Sequence, residues 1–374
     1  MIREDVIVIG GGLAGLTASI QLATDGVGVL VIERDPYPRH RVCGEYLSQE
    51  VVPYLTTLGI DLKIAGAVTI QQMEISTRSG ESVSAELPLG GVGVSRYCLD
   101  MLLYQRAVEL GVRFQFDLVQ SVNRHLNHFV LQTRGGKIFQ CNYIVGAFGK
   151  RSNLDKVLQR QHITKPANWV GIKAHYHHPD FPNEKVALHN FEGGYCGLSR
   201  IESGAVNVCY LANYQSFKKA KNVSQFQSTL TKNPKLKMFF AKAEPLFDQP
   251  KTIAQISFAQ RESYFDGILM TGDAAGLIHP LCGNGMAMAI HSGKIAAELI
   301  AAQAHRSDHY HLEALGAMYQ KKWNRTFNTR MNAGRLLQRI LLSPMLSDIS
   351  MKTVVKSPWI VKRLITMTHG EPVS

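Results

Sequence analysis

The first 33 residues alternate between apolar runs and small-residue turns in the order of a β-α-β unit. The apolar run at 6–9 predicts a buried strand, and the apolar and small residues at 13–24 predict a helix. Gly26 predicts the end of that helix, and a second apolar run ends at Glu33. The pattern therefore predicts two strands joined by a helix, with a glycine turn after the first strand.

The middle of the chain has a different pattern. Residues 60–94 and 166–258 contain stretches in which apolar and polar positions alternate, separated by Gly-Gly and Ser-Gly turns. This period of two is typical of antiparallel strands with one buried face. A short apolar run at 268–271 and a small-residue helix beginning near Gly283 follow. We therefore expect an α/β protein in which β-rich segments interrupt the β-α-β domain.

These patterns divide the chain into three regions. We expect a discontinuous α/β domain, an inserted β-rich domain and a helical carboxyl-terminal region. The predicted boundaries are 1–59, 95–165 and 259–300 for the α/β domain, 60–94 and 166–258 for the inserted domain, and 301–374 for the helical region.

The glycines after the first predicted strand fit the spacing G-x-G-x-x-G at Gly10, Gly12 and Gly15. The first allows a tight turn, the second lets a pyrophosphate approach the backbone, and the third lets helix and strand pack closely, while the helix amino terminus favours the phosphate charge. Glu33 is placed to accept hydrogen bonds from an adenosine ribose. This order predicts a dinucleotide site; an ordinary β-α-β unit with a permissive turn is the alternative.

A second motif, ILMTGDAAGLIHPLCGNGMAMAI, begins at position 268. Asp273 follows a predicted strand, where its carboxylate can accept hydrogen bonds from a polyhydroxyl chain. A helix amino terminus at Gly283 and Gly285 would place positive potential beside the pyrimidine edge of a flavin. Both features fit FAD. Taken alone, the same residues would fit an ordinary turn with loop glycines.

Composition narrows the class of protein. The chain has 374 residues, 45% of them hydrophobic, which is enough for a large core. Its six cysteines are scattered without a C-x-x-C step, and the first apolar run lacks the flanks of a signal peptide. No apolar stretch reaches the roughly 18 residues of a membrane span. We therefore expect a cytoplasmic protein.

The formal net charge of +12 is concentrated near the carboxyl terminus. Residues 301–374 contain eleven Lys or Arg and four Asp or Glu, a net charge of +7. Because Lys362 and Arg363 stand among apolar residues such as Trp359, the segment predicts peripheral attachment to an anionic membrane surface, on its inner face. A terminal helix with a solvated basic face is the alternative. No nucleic-acid motif accompanies the charge, so nucleic acid is not an expected partner.

The two nucleotide-binding segments resemble the flavoprotein superfamily of aromatic hydroxylases and geranylgeranyl reductases, over most of residues 1–300. The stretch VSRYCLDMLLYQRAVELGVRF resembles the family's Ser-Arg turn and following helix, with Arg96 where the family contacts the cofactor. GAFGKRSNLDK, residues 146–156, resembles the stretch that closes the FAD-binding sheet. The resemblance implies a Rossmann-type, glutathione-reductase-like FAD domain, as in p-hydroxybenzoate hydroxylase, with an inserted antiparallel sheet and a helical carboxyl-terminal region.

RVCGEYLS, residues 41–48, resembles the Cys-Gly element of the geranylgeranyl reductases, whose cysteine lies near the flavin in the substrate cavity. The resemblance implies that Cys43 is a wall residue beside the isoalloxazine, able to act as a weak proton donor or to shape the cavity; an inert buried cysteine is the alternative. Glu45 is a candidate general acid or a turn-stabilising carboxylate. Cys282 is a third catalytic candidate, facing the ring or simply filling space.

One departure concerns the electron donor. The hydroxylases carry Ala-Asp-Gly where this chain has Ala147, Phe148 and Gly149, and their Asp helps to handle FAD and NADPH. Its loss makes the hydroxylase way of using NADPH doubtful. The electron donor is therefore expected to be NAD(P)H or another reductant.

The motifs and the resemblance together define the expected ligand sites. The expected cofactor-binding residues are Gly10, Gly12, Leu13, Ala14, Gly15, Glu33, Arg34, Arg41, Cys43, Arg96, Gly149, Asp273, Gly283, Gly285 and Met286. The candidates for lining an apolar substrate cavity are Trp169, Tyr176, Phe191, Tyr195 and Tyr210, although most aromatics on a half-buried sheet form core. His175 and His177 share one strand face, but with no carboxylate or cysteine at ligand spacing no metal is expected.

The preferred function is reduction of carbon-carbon double bonds in an apolar, isoprenoid or polyketide-like substrate. Reduced FAD would supply hydride and a nearby acid or water the proton. Two alternatives remain open. One is a flavin-dependent monooxygenase that hydroxylates an aromatic or polyene, and the other is a non-catalytic prenyl or lipid carrier on the same fold, which the intact glycine motif disfavours.

Overall fold

The computed structural model describes residues 1–126, 128–164, 167–220, 222–305 and 311–342, together with residues 353, 357, 359, 367 and 370–373. In chain order, the described strands are β1 (Ile2–Ile9), β2 (Val29–Glu33), β3 (Tyr46–Ser48), β4 (Val68–Ser76), β5 (Ser82–Gly93), β6 (Arg113–Phe116), β7 (Val119–Arg124), β8 (Phe129–Thr133), β9 (Ile138–Gly146), β10 (Trp169–His177), β11 (Lys185–Phe191), β12 (Gly194–Arg200), β13 (Val206–Asn213), β14 (Glu244–Pro245), β15 (Lys251–Ile256), β16 (Tyr264–Phe265) and β17 (Ile268–Met270). The described helices are α1 (Leu13–Thr24), α2 (Val52–Thr57), α3 (Arg96–Glu109), α4 (Asn153–Val157), α5 (Tyr214–Lys218), α6 (Val223–Leu230), α7 (Pro234–Phe240), α8 (Gly285–Ala304) and α9 (Leu312–Leu342).

The first sheet contains the predicted β-α-β unit. Its main path runs β16-β17-β9-β1-β2-β6, and β7 and β8 extend it as an antiparallel hairpin joined to β9. Strand β1 is parallel to both β2 and β9, and the apolar residues 6–9 are buried because helices cover the sheet. The strand starts at Ile2, earlier than predicted, because its polar first residues also pair with β9.

The second sheet is mostly antiparallel and follows the path β14-β10-β13-β12-β11-β4-β5-β3. Strand β15 lies off this path and also pairs with β10. Strands β10, β13, β12 and β11 pair in that order as antiparallel neighbours, whereas β11 is parallel to β4. This α/β fold with an added antiparallel sheet confirms the predicted fold class. The domain boundaries stay a prediction; β3, which they assign to the α/β domain, pairs with β5 in the second sheet.

The two largest hydrophobic cores of the described residues follow from this arrangement. The larger core lies around the first sheet and includes residues of α1, α3, α8 and α9. The second core lies between one face of β10 to β13 and the helices α6 and α7, where Phe226, Leu230, Leu236 and Phe239 are buried. Because α6 and α7 cover this face of β10 to β13, we expect a cofactor or substrate to approach the opposite face.

Helix α9 lies in the predicted carboxyl-terminal helical region. Most of the predicted membrane-binding segment lies outside the described residues; within it, Trp359 is 66% exposed and Met367 is 43% exposed. Across the described ranges, no helix has both the length and the apolar character needed to cross a bilayer.

Candidate functional site

The glycine turn after β1 has a geometry that only glycine can adopt. Gly10 has a φ of +101°, and a β-carbon added there would lie 2.5 Å from the carbonyl oxygen of Ala147. A β-carbon on Gly15 would lie 1.9 Å from the carbonyl oxygen of Gly10. Gly12, in contrast, faces open space, with Arg96 Nη2 at 3.8 Å from an added β-carbon. The turn is therefore tight where helix and strand meet and open where a pyrophosphate would approach.

Helix α1 begins at Leu13 without a side-chain cap. Its N-cap residue, Gly12, offers no side chain to the first-turn N–H groups, and no acidic residue stands in that turn. The N–H groups of the first turn, which includes Leu13 and Ala14, therefore lack a carboxylate or hydroxyl partner there, and the helix dipole adds positive potential. A phosphate of the cofactor fits this position.

Glu33 ends β2 beside the glycine turn. Its carboxylate accepts hydrogen bonds from the backbone N–H groups of Gly11 at 2.7 Å and Asp35 at 3.0 Å. Arg39 lies 3.0 Å and Arg41 3.4 Å from its oxygens. The structure thus brings the predicted residues Glu33 and Arg41 together beside the glycine turn.

Sequence reasoning identified Arg34 but missed Tyr37 and Arg39. Arg34 has a 61% exposed side chain that pairs with Asp35, so it points away from the glycine turn. Tyr37 donates a hydrogen bond to the carbonyl oxygen of Gly11 at 2.5 Å, and the Arg39 guanidinium lies 4.3 Å from the Tyr37 ring centroid. No spacing rule marks these two residues, because a long loop brings them back onto the turn.

The two nucleotide-binding motifs meet at one edge of the first sheet. Ile9 pairs with Gly146, and Gly146 pairs with Met270, so the carboxyl ends of β1, β9 and β17 are level. Asp273 lies in the short 3₁₀ turn that follows β17. A β-carbon on the preceding Gly272 would lie 3.1 Å from Ala14 Cβ on α1. The expected phosphate and ribityl contacts therefore belong to one cleft.

Arg96 lies at the first position of α3, between the two motifs. Its guanidinium makes two bonds to Asp100, of 2.7 and 2.9 Å. Burial alone would lower the pKa of Arg96, but the paired Asp100 raises it above the ordinary arginine value, with smaller contributions from Cys43 and Asp273. This permanent positive charge lies beside the open side of Gly12, where an anionic cofactor would pass.

The remaining predicted cofactor residues surround the same cleft. Gly149 follows β9 with a φ of +80° and open space at its β-carbon position. Gly283 has a φ of +65°, which ends the 3₁₀ turn Pro280–Cys282 and delays the start of α8 to Gly285. The N-cap side chain of α8 makes no capping hydrogen bond to the first turn of the helix, and Met286 is buried in that turn. Two uncapped helix amino termini, those of α1 and α8, thus face the site.

The family model described as an FAD binding domain matches residues 3–318 of this chain. The chain belongs to this FAD-binding family. Its glycine turn, acidic strand end and Gly-Asp turn fit the cofactor as described above. The protein is therefore an enzyme of the FAD-dependent oxidoreductase and monooxygenase class, with FAD as its cofactor, and it is related to the flavoprotein superfamily that the sequence resembles.

Three comparisons show the breadth of this FAD-binding family. The menaquinone reductase of Mycobacterium tuberculosis is 24% identical over 319 residues, which cover 79% of this chain and 76% of that protein. Digeranylgeranylglycerophospholipid reductase 1 of Methanopyrus kandleri is 24% identical over 373 residues, which cover 94% of this chain and 93% of that protein. The solved flavin-dependent brominase Bmp2 superposes with a TM-score of 0.80 at 21% identity, covering 98% and 93% of the two chains. The structural likeness shows a shared fold.

The loop that carries Cys43 is held by the second sheet. Asn207 on β13 donates to the carbonyl oxygens of Cys43 at 3.2 Å and Gly44 at 2.8 Å, and Ser199 on β12 donates to Gly44 at 3.2 Å. Cys43 itself is partly buried against the main core. The second sheet therefore fixes the position of the Cys43 backbone.

Glu45 is a fully buried member of the same loop, with a φ of +53°. Its carboxylate accepts hydrogen bonds from Lys173 and from the backbone N–H of Arg96 at 2.7 Å, and it is bonded to His175 Nε2 at 2.7 Å. Burial alone would raise the pKa of Glu45, but His175 and Lys173 lower it below the ordinary value. Because the group is held as a carboxylate, the geometry favours an ion-pair role over the predicted general-acid role.

The five aromatic candidates for the substrate pocket divide between the two faces of the second sheet. Trp169 and Tyr195 lie on the face toward the cofactor, in an apolar cluster with Leu211, Phe258 and Leu277. The structure places the other three away from this cluster, and their contact with a substrate stays a prediction. Tyr176, Phe191 and Tyr210 lie on the opposite face, where they pack against the helix-covered core, because successive strand residues alternate between faces.

Three residues near this pocket have pKa values shifted by burial. Burial raises the pKa of the Cys282 thiol to about 12 and lowers the pKa of His279 to about 3. Burial also raises the pKa of Cys209 to about 12, with a further contribution from nearby Cys43. A β-carbon on Gly334 of α9 would lie 3.4 Å from Cys282 Sγ, so this thiol packs against a helix and fits the space-filling alternative.

His279 and Cys209 are site residues that sequence reasoning missed. The His279 ring lies among three rings of the apolar face, with centroid distances of 6.1 Å to Trp169, 6.0 Å to Tyr195 and 4.9 Å to Phe258. The sequence shows that His279 belongs to the Gly-Asp motif. It does not show which strands the ring packs against, because those strands are distant in sequence. Cys209 can be placed near the site only once the strand register is known, because that register pairs it with Lys173 on β10.

A cavity of about 760 Å³ adjoins the apolar cluster. Its buried lining includes Trp169, Phe258, Arg261 and Trp323, and exposed side chains of α9 such as Asn324 stand at its rim. This volume is in the range of small-molecule sites. The cavity therefore gives a ligand space beside the cofactor-facing side of the sheet.

The described residues contain no group of three or more His, Cys, Asp or Glu side chains arranged to hold a metal ion. His175, the first of the two strand histidines, has Glu45 as its partner. His177, on the same strand face in the sequence pattern, is exposed at the end of β10.

Proposed function

We propose that this enzyme reduces carbon-carbon double bonds of an apolar, isoprenoid or polyketide-like substrate. One observation carries the proposal: the apolar face of the second sheet, with Trp169, Tyr195 and Leu211, packs against Leu277 of the loop between Asp273 and α8. A substrate held against that face would be apolar and would lie next to the cofactor. The names of the two relatives described above, both called reductases, support the choice of reaction.

When bound, FAD supplies hydride transfer. In the proposal, the glycine turn and Glu33 hold the adenosine diphosphate half, and Asp273 accepts hydrogen bonds from the ribityl chain. The amino terminus of α8, beginning at Gly285, lies beside the ring. Cys43 would form a wall of the pocket at a backbone position that Asn207 fixes.

Identification of the bound molecules is the first test. The purified protein is expected to be yellow, to contain FAD, and to release an apolar molecule on solvent extraction. The variant Asp273→Ala is the control, since it removes the ribityl contact and should lower FAD content. A colourless protein that cannot be reconstituted with FAD would instead support the carrier alternative.

A second test separates reduction from oxygen chemistry. The holoenzyme is reduced without oxygen and mixed with the extracted molecule, and the product is analysed by mass spectrometry. Reduction predicts a mass increase of two hydrogens and flavin reoxidation without oxygen. A product that forms only in air and carries one added oxygen atom would favour the monooxygenase alternative. Comparing NADH, NADPH and dithionite as reductants in the same assay identifies the electron donor.

A further inference from the structure

We propose that the cavity of about 760 Å³ holds the head group of the substrate, that this head group is an oxyanion such as a carboxylate or a phosphate, and that Arg261 binds it. The inference rests on the function proposed above, which concerns only the apolar part of the same substrate. Trp169 and Phe258 belong both to the lining of the cavity and to the apolar cluster on the cofactor-facing side of the second sheet. A molecule that occupies the cavity therefore lies against the face proposed for the apolar chain.

The cavity lies beside the Gly-Asp turn, on the side of helix α9. Ala275, which follows this turn, lines the cavity, and so do Trp323 and Met331 of α9. A β-carbon on the neighbouring Gly276 would lie 3.1 Å from both Trp323 Cη2 and Met331 Cε. An added β-carbon on Gly272, at the start of the turn, would instead meet α1 at 3.1 Å. The cofactor cleft and the cavity therefore border the same short turn.

Arg261 is a buried residue of the cavity lining with unused hydrogen-bond donors. It is only 7% exposed, and its Nη2 donates to the backbone carbonyl oxygen of Lys150 at 2.8 Å. Among the described residues, neither Nε nor Nη1 of Arg261 has a hydrogen-bond partner. An unpaired buried donor is unfavourable, and a guanidinium does not relieve this by losing its proton. An acceptor supplied by a ligand would complete the site.

The charges of the lining favour an anionic ligand. Burial lowers the pKa of Arg261, and the nearby aspartates raise that pKa by less. The second lining arginine, Arg335, also has a buried Nε without a partner in the described part of the chain. Glu262, a lining carboxylate, lies 3.6 Å from Nε of the buried Arg160 and so faces a different arginine. With two arginines against one carboxylate in the described lining, an oxyanion would balance the charge and bind the guanidinium strongly.

Neutral hydrogen-bonding groups accompany the arginines. Seven Asn or Gln side chains line the cavity, and three of them, Gln320, Asn324 and Asn328, follow each other at four-residue spacing along one face of α9. His162 also lines it, with Nδ1 buried and without a partner in the described ranges. Burial lowers the pKa of His162, so its ring is neutral near pH 7. Because amide and imidazole N–H groups donate hydrogen bonds, this polar part of the cavity suits the oxygens of a head group.

The experiment measures binding to the oxidised holoenzyme by isothermal titration calorimetry. Geranyl phosphate, geranic acid and geraniol share one isoprenoid chain and differ in the head group, which is a phosphate, a carboxylate or a neutral hydroxyl. We expect the tighter of the two anions to bind wild type at least about 10-fold more tightly than geraniol, because charge-assisted hydrogen bonds are stronger than neutral ones. Inorganic phosphate should weaken the binding of this anion more than sodium chloride of the same ionic strength does.

Variants of Arg261 test which residue causes the preference. Arg261→Met removes the charge and should reduce the preference for the anion to less than about 2-fold, while FAD content and geraniol affinity stay at the wild-type level. Arg261→Lys keeps a charge and should retain part of the preference. Arg134→Met is the matched control, because Arg134 is exposed on the turn after β8, outside the cavity. It should bind all three ligands as wild type does.

Wild type that binds neither anion more tightly than geraniol would overturn the inference, and so would an FAD-loaded Arg261→Met variant that keeps the preference. The proposed function would stand in both cases. NADPH binding that depends on Arg261, without binding of either anion, would assign the cavity to the electron donor and would also overturn the inference. Anaerobic reduction tests the function separately. If reduced wild type binds the anion but is reoxidised by it no faster than free reduced FAD, the proposed function fails, and the head group is not that of a substrate.

Discussion

At the scale of single residues, burial decides what a titratable side chain can do. Glu45 and Lys173 are both fully buried and mutually paired, so each depends on the other for its charge. His189 shows the opposite solution: burial lowers its pKa to about 4, and the ring stays neutral while hydrogen-bonded to Ser76 at 2.9 Å. The sequence shows which titratable residues are present. Whether a buried one is charged depends on the partner that the fold gives it.

The Glu45–Lys173 pair gives the first prediction. Glu45→Gln should lower the free energy of unfolding by about 3–5 kcal/mol, because it leaves the Lys173 ammonium buried without its counter-charge. The double variant Glu45→Gln with Lys173→Met should recover part of that loss, since no buried charge remains. Urea denaturation of the wild-type holoenzyme, of the single variants Glu45→Gln and Lys173→Met, and of the double variant measures these changes. Strictly additive effects of the two substitutions would contradict the pairing.

His189 gives the second prediction, on pH. Its folded-state pKa of about 4 lies below the ordinary value of 6.5, so between these values the unfolded chain binds a proton that the folded chain does not. Stability should therefore fall as the pH drops from 7 to 5, and His189→Gln should remove about 1.5 kcal/mol of that fall. Urea denaturation at both pH values measures it, with the exposed His177→Gln as a control expected to leave the fall unchanged.

At the scale of elements, small residues set how closely helices approach the cofactor cleft. Gly293 of α8 packs on α1, where an added β-carbon would lie 2.4 Å from the carbonyl oxygen of Ala14. The buried Glu50 accepts bonds from Asn284 before α8, from Arg330 of α9 and from the backbone N–H of Gly370. The position of α8 is therefore fixed at its amino terminus by Glu50 and along its length by close packing on α1.

Helix α8 gives the third prediction. Gly293→Ala should lower the thermal unfolding midpoint and weaken FAD binding, because the clash with α1 costs about 1–3 kcal/mol and outweighs the helix propensity that alanine gains. Gly285→Ala in the same helix is the control, since its added β-carbon would lie 3.8 Å from the nearest atom, Ile278 Cγ2. It should leave the midpoint unchanged or raise it. A stable, FAD-replete Gly293→Ala variant would contradict the close packing.

At the scale of the whole molecule, charge is distributed unevenly. The net charge is +12, and +7 of it falls in residues 301–374, where basic and apolar residues alternate. Attachment to an anionic membrane surface remains a prediction from sequence, because most of the segment concerned lies outside the described residues. If it occurs, it would bring the enzyme to the phase in which apolar substrates are concentrated.

Vesicle flotation tests this fourth prediction. The protein should float with vesicles that contain an anionic lipid, and binding should weaken as salt is raised, because the Debye length shortens. The double charge reversal Lys362→Glu with Arg363→Glu should abolish flotation while leaving FAD content unchanged. Equal binding to neutral and anionic vesicles would remove the electrostatic explanation.

The sequence by itself determined the features whose physics is local. Helix α1 spans the predicted residues and β2 ends at the predicted Glu33, because a buried strand, a glycine turn and a helix start each have a short-range chemical signature. Asp273 was recognised as part of the same site because its Gly-Asp turn is equally local. The choice of FAD and the fold class followed from these signals.

Only the tertiary structure decided which side chains meet across the site. The aromatics of the second sheet look alike in sequence, yet strand register turns Trp169 and Tyr195 to the cofactor side and Tyr210 to the helix-covered core. The pairing of Glu45 with Lys173 spans 128 residues of sequence. The environment of a strand side chain is known only once the strands are paired and each face of the sheet has its covering elements. Both depend on contacts between residues far apart along the chain.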